Sequence, residues 1–195
     1  MSKPATHDHA TMTPSPWVER FLPGVPKGGE VLDVACGRGR NLRFALKAGY
    51  RVVGLDRNVS GVADLEGKKG VELIEADLED GSPFPLGTRR FAGVIVVNYL
   101  YRLMLSAIIG AVADDGVLIY ETFALGHERF GKPSNPDYLL KPNELIDAVT
   151  PDLVVVDFEY GLLPKGPNFV QRIAACGPRH PWAGEAPYEL GSRGS

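Results

Sequence analysis

The chain has 195 residues, 44% of them hydrophobic and 23% charged, and a net charge of −3. That length suits one domain with a core of its own, held without disulfides or metal. The acid excess argues against a dedicated nucleic-acid binder, and no apolar run approaches the roughly 20 residues of a membrane span. Glycine (23) and proline (16) are plentiful; their usual sum is roughly 12%, so the excess predicts a loop-rich chain, still short of disorder.

Residues 1–15 are polar, lack the apolar stretch of a signal peptide, and read as a disordered tail. His7, Asp8 and His9 have metal-ligand character, but with no second cluster they read as a solvated terminus. Ser15-Pro16 opens a short helix, WVERFL, closed by Pro23-Gly24. VLDVAC (31–36), β-branched and bounded by glycines, predicts a buried strand. A helix follows over 39–48, with Leu42, Ala45, Leu46 and Gly49 on one face. RVVGLD (51–56) is the second strand, 58–66 a weak helix interrupted by Gly61, and VELIEA (71–76) the third strand. Beyond the proline loop 82–87, AGVIVV (92–97) is the fourth strand. A helix over 102–113 ends at Asp114-Asp115-Gly116, and VLIYETF (117–123) is the fifth strand. After the aperiodic stretch 124–143 comes a helix, ELIDAV. DLVVVDFEY (152–160) and FVQRIAAC (169–176) are separated too briefly for a crossover and pair as a hairpin. Residues 177–195 read as a flexible tail, which leaves 16–176 as a single domain.

Strands alternating with helices and closed by a hairpin predict an α/β fold: a mostly parallel sheet with one antiparallel strand. Ligands of such sheets sit beyond the carboxyl ends of the strands. That selects Cys36–Asn41, Asp56, Asp77, Asn98–Arg102 and Glu121–Phe123.

The most informative stretch is Asp33-Val-Ala-Cys-Gly37-Arg-Gly39, between the first strand and its helix. A P-loop needs Gly-x-x-x-x-Gly-Lys-Ser/Thr, and no such string occurs. A dinucleotide fingerprint needs a third small residue, and from Gly37 that position is Leu42, too bulky for close helix–strand packing. A third reading is an adenosyl-cofactor loop without pyrophosphate, acid-x-Gly/Ala-x-Gly-x-Gly, with Ala35 at the first small position.

On these residues the chain resembles the class I S-adenosylmethionine-dependent methyltransferases, over roughly 16–176. The resemblance implies a three-layer αβα, Rossmann-like fold with a seven-stranded, mostly parallel sheet and one antiparallel strand. It implies S-adenosyl-L-methionine as cofactor and no metal. VLDVACGRGRN is similar to motif I, which assigns Asp33, Ala35, Cys36, Gly37, Gly39 and Asn41 to the cofactor. Asp56, with Arg57 beside it, matches the acid that holds the ribose hydroxyls, a pairing that suits a carboxylate accepting from two vicinal donors. Asp77 and the Leu78 amide match the adenine contacts, and Asn98 opens the motif that faces the methyl group.

Methyl transfer is an in-line displacement in which the enzyme acts largely by positioning, with a general base optional. Asn98 and Tyr101 are spaced Asn-x-x-Tyr, similar to the Asn-Pro-Pro-Tyr of methyltransferases acting on exocyclic amines, but without the prolines. Tyr99 and Tyr101 can equally wall a pocket, with Arg102 beside them. Glu121 is unusual in a buried strand; it could orient the acceptor or take its proton, or pair with Arg102 or Arg129. The stretch 124–143 has the make-up of a lid. Phe123, Phe130 and Tyr138 supply walls, and Arg129, Lys132 and Asn135 polar heads, while His127 is the base candidate beside Glu121 and Tyr99. At a finer level the chain resembles the small tellurite-resistance and thiopurine methyltransferases, which implies a small heteroatom acceptor.

Two other readings stay open. Lys27, Arg38, Arg40, Arg43, Arg89 and Arg90 could form a basic face for RNA or DNA, and the domain could be a non-catalytic, cofactor-binding partner subunit. Monomer and dimer are equally compatible with the sequence. Cys36 and Cys176 sit in apolar runs and read as reduced thiols of a cytoplasmic protein. The family's strand order sets them about three strands, or roughly 14 Å, apart, beyond the roughly 7 Å that a disulfide spans.

Overall fold

A computed structural model describes residues 12–164 and 166–184; His7, Asp8 and His9 lie outside the described residues. The chain begins with helix α1 (Pro16–Phe21), capped by Ser15, whose side chain accepts from the Trp17 amide. Strand β1 (Glu30–Val34) leads through the glycine loop into α2 (Arg40–Lys47), followed by β2 (Arg51–Asp56) and β3 (Val71–Glu75). Then come β4 (Phe91–Val97), α3 (Arg102–Gly110), β5 (Val112–Phe123), α4 (Glu144–Val149), β6 (Val154–Leu162) and β7 (Phe169–Cys176).

The seven strands form one sheet in the order β3-β2-β1-β4-β5-β7-β6. Only β7 runs antiparallel, inserted between β5 and β6. The sheet separates two cores because successive strand residues point to opposite faces. Leu32, Val34, Val53 and Leu55 pack with α3 and α4, while Val31, Val52, Ile95 and Ile119 pack with α1 and α2. Every strand of the inner sheet is thus apolar on both sides, which is why these segments read as continuous runs without polar alternation.

Three boundaries differ from the sequence reading. Residues 59–65 form 3-10 turns, not an α-helix. Gly61 explains the choice: a Cβ there would lie 2.8 Å from the Gly37 carbonyl oxygen, so this segment is shaped to back the glycine loop. Helix α3 stops at Gly110, because Val112 already pairs with Phe91 in the sheet. Residues 177–184, expected as the start of a tail, return to α1. The His180 ring bonds to the Gly24 carbonyl at 2.9 Å, and Trp182 meets Phe21 edge-on at 6.4 Å.

That return rests on Gly24, where a Cβ would come within 1.8 Å of the Trp182 ring. Gly24→Ala is therefore expected to lift Trp182 off α1, red-shifting tryptophan emission and costing about 1–2 kcal/mol in denaturant titration. Unshifted emission would mean that the wedge is not seated as described.

Cys36 and Cys176 are both buried and unpaired. With β4 and β5 between their strands, they stand three strands apart, as the topology requires. No helix among the described residues is long and apolar enough to cross a membrane.

Candidate functional site

The carboxyl ends of β1, β2, β4 and β5 open into two adjoining clefts that share Ala35 and Asn98. The larger, about 410 Å³, is lined from the ends of β2 and β3 by Asp56, Arg57, Asp77, Leu78 and Glu79, with Tyr99 after β4. Thr122, Phe123, Pro133 and Tyr138, at and beyond the end of β5, line it too. The smaller, about 240 Å³, lies over Asp33 and is lined also by Cys36, Gly37, Arg40 and Asn41. Every cofactor residue named from the sequence except Gly39 lines one of these clefts.

Local geometry explains the glycine loop. Ala35, Gly37 and Gly39 all have positive φ (53°, 54° and 73°), and Gly39 is the residue that starts α2. For Ala35 this left-handed backbone is strained, and strain of that kind concentrates where a ligand dictates the shape of the chain. Asn98, at φ 60°, carries the same signature at the end of β4. Asp56 fastens the loop, with Oδ2 accepting from the Gly37 amide at 2.8 Å and Oδ1 from the Asn58 amide at 3.0 Å. Asp77 Oδ1 accepts from the Glu79 amide at 2.9 Å.

Asp33 is buried, and its Oδ2 has no hydrogen-bond partner. Burial pushes its pKa up to about 7, against the Leu42 amide and Arg40, which pull it down. An orphaned carboxylate oxygen beside a cleft is a site waiting for a cation. Cys36 is its opposite in character. Burial, then the Asp33 and Asp56 charges, push the thiol up to about 12, so it stays protonated and is no nucleophile.

The structure does not bring the three catalytic candidates together. Tyr99 does line the cleft, and its hydroxyl is buried without a partner. Burial, then Glu79 and Asp77, push its pKa up, so it can donate a hydrogen bond but is a poor proton acceptor. Glu121 points to the other face of the sheet, because alternation along β5 sends Thr122 to the cleft. It accepts from Ser15 Oγ at 3.1 Å and Arg172 at 3.3 Å, and the expected pairing with Arg102 or Arg129 is absent among the described contacts. His127 is also displaced. Its Nδ1 accepts from the Phe169 amide at 3.3 Å, its Nε2 faces the Lys132 carbonyl at 3.0 Å, and its ring packs on Phe123. With both nitrogens engaged it pins the loop and is not placed as a base.

Among the substrate candidates, Phe123 lines the cleft and Tyr101, Arg102, Arg129, Phe130, Lys132 and Asn135 do not. Arg102 is a structural clamp: it grips Glu144 at 2.6 and 2.9 Å and donates to the Asp137 and Leu139 carbonyls. Arg129 bonds back to the Gly126 carbonyl and lies over Phe130, and Asn135 caps a 3-10 turn at Pro136–Tyr138. Tyr101 sits at the start of α3. The loop 124–143 is thus held at both ends, and it reaches the cleft with Pro133 and Tyr138. The sequence reading held Thr122 only within the span Glu121–Phe123, although strand alternation from Tyr120 singles it out, and it missed Glu79, which nothing in the loop pattern marked.

Residues 31–113 match the family model described as a methyltransferase domain. No curated protein matches the chain by sequence. Among solved structures, TehB from Haemophilus influenzae is similar with TM-score 0.62 and 19% identity, over 83% of this chain and 61% of that one. The chain therefore spans less than two thirds of TehB. The 1,6-didemethyltoxoflavin-N1-methyltransferase of Burkholderia thailandensis, solved with 1,6-didemethyltoxoflavin and S-adenosylhomocysteine, is similar with TM-score 0.61 and 19% identity, over 86% and 78%. The N-methyltransferase NodS from Bradyrhizobium japonicum WM9 follows with TM-score 0.61 and 13% identity, over 85% and 98%. The strand order is that of the class I methyltransferase fold, and residues 31–113 of it carry the match to a methyltransferase domain.

Proposed function

We propose that the protein transfers the methyl group of S-adenosylmethionine to a small, flat, uncharged acceptor in the cytoplasm. The observation that carries this reading is the division of the joined clefts. One end is acidic, with Asp33, Asp56 and Asp77, and the other is walled by Phe123, Pro133 and Tyr138 without a charged side chain among them.

The donor fits the acidic end. The orphaned Asp33 oxygen suits its ammonium group, and Asp56, already held by two amides, suits the ribose hydroxyls. Asp77 and Leu78, on the same lining, suit the adenine amino group and ring. When bound, the donor supplies a methyl group on a positively charged sulfur, already activated for displacement. Asn98, shared by both clefts, orients the approach, and Tyr99 walls the larger one. Phe123 and Tyr138 stack the acceptor and exclude water. Because Glu121 and His127 are engaged elsewhere, the acceptor brings its own lone pair, and a nitrogen acceptor, as the name of the N1-methyltransferase neighbour gives, suits that demand. Two buried free thiols fit a reducing compartment.

The basic residues weighed for nucleic acid are largely committed within the molecule: Arg43 to Asp64, Arg89 to Glu30 and Glu72, and Arg90 to the Val112 carbonyl. Incubation with methyl-labelled donor and fractionated cell extract tests the proposal. Label is expected in the small-molecule fraction. Label in RNA or DNA overturns the acceptor class, and label in no fraction supports a non-catalytic partner role.

A further inference from the structure

Ser15 is a helix cap that makes more bonds than a cap needs. Its hydroxyl accepts from the Trp17 amide, which completes the cap. The same hydroxyl donates to Glu121, 106 residues away, at 3.1 Å, and the Ser15 amide donates to Asn41 Oδ1 at 3.0 Å. Ser15, Asn41 and Glu121 are all buried, at 1%, 4% and 6% exposure. The Glu121 carboxylate is fixed from its other side by Arg172, which also grips Glu159 at 2.6 Å and lies 4.6 Å over the Trp17 ring. Trp17 Nε1 in turn donates to the Ile173 carbonyl at 3.1 Å. One residue further along the cleft wall, Arg40 donates to the Thr13 carbonyl at 3.4 Å.

Asn41 is where this network meets the cleft over Asp33. An amide side chain has one acceptor end and one donor end. The Ser15 amide claims the acceptor end, so the donor end, Nδ2, is left for the cleft that Asn41 lines. The result is a pair of opposite polarity: a carboxylate oxygen from Asp33 and an amide donor from Asn41. That pair suits a zwitterion, with ammonium on the first and carboxylate on the second.

We propose that Ser15 and Glu121 are positioning residues for the amino-acid end of the donor, acting through Asn41. The inference rests on the donor reading above and extends it to residues that never touch the ligand. Glu121, which looked catalytic because a charge on a buried strand is rare, holds the N-terminal segment and fixes which end of Asn41 faces the cleft.

Calorimetry with two ligands tests this. S-adenosylhomocysteine carries the amino-acid end; 5′-methylthioadenosine has the same nucleoside and thioether sulfur without it. Ser15→Ala and Glu121→Ala are expected to weaken S-adenosylhomocysteine about five- to tenfold while changing methylthioadenosine by less than about twofold. Glu121→Gln keeps an acceptor for the Ser15 hydroxyl but turns its amide NH2 toward Arg172, so it is expected to recover part of the affinity that Glu121→Ala loses. Equal weakening of both ligands would indicate general loosening and overturn the proposal, as would unchanged affinity for both. If the wild-type protein binds neither ligand, the donor reading itself fails, a result distinct from either.

Discussion

Asp56→Ala is expected to remove donor binding: affinity for S-adenosylhomocysteine falls by about a hundredfold or more, measured by calorimetry. Two effects combine. The carboxylate is the group proposed to accept from both ribose hydroxyls, and charge-assisted hydrogen bonds contribute about 1.5–3 kcal/mol each. Asp56 also accepts from the amides of Gly37 and Asn58, so its loss frees the glycine loop that the ligand must lie against. Methylthioadenosine, which has the same ribose, should lose affinity equally, in contrast to the Ser15 and Glu121 variants. Asp56 is half-buried at the end of β2, so the melting temperature should change little. Wild-type affinity in this variant would remove the basis for reading the cleft as a donor site.

Asp33→Asn should separate stability from binding. The wild-type carboxyl is raised by burial from its unfolded value to about 7. Between those two values the folded state holds a proton that the unfolded state has released, so stability falls as pH rises from about 4 to 7 and then levels. Asparagine has no such titration and keeps an acceptor for the Leu42 amide. At pH 8 the variant is expected to be more stable than wild type by about 1–3 kcal/mol, allowing for its own buried amide. Binding should move the other way. The ammonium of the donor needs the ionised carboxylate, so wild-type affinity for S-adenosylhomocysteine tightens from pH 6 to 8 and binding releases a proton. The variant should bind weakly and without that pH dependence. A variant that loses stability at pH 8, or binds as well as wild type, would show that Asp33 is not a strained acid held ready for a cation.

The order of elements was legible because both faces of the inner sheet are buried, which makes the strands apolar runs that turns interrupt. The lining proposed for the donor was legible for a related reason. Short-range backbone demands at Ala35, Gly37 and Gly39, and acids at successive strand ends, leave a mark at fixed spacing. The lining proposed for the acceptor was not. Glu121, His127 and Arg102 all carry the chemistry of catalysis, yet each is held by partners far away in the chain: Arg172, Phe169 and Glu144. Whether a charged side chain faces a cleft or a counter-ion depends on long-range pairing, which local pattern does not encode. The return of residues 177–184 was missed likewise, since its seat is a glycine 158 positions before Trp182.

The insertion of β7 between β5 and β6 carries a consequence for how the protein is made. A ribosome delivers β6 before β7, but β6 has no neighbour in the sheet until β7 arrives. The open edge of β5 must likewise stay unpaired until Phe169 and its successors emerge. Helix α1, made before every strand of the sheet, waits still longer, because Trp17 docks on the carbonyl of Ile173. Nascent chains halted before β7 should therefore hold a four- or five-stranded parallel core with a sticky edge and a loose amino-terminal helix, the state in which a chaperone would find most to bind.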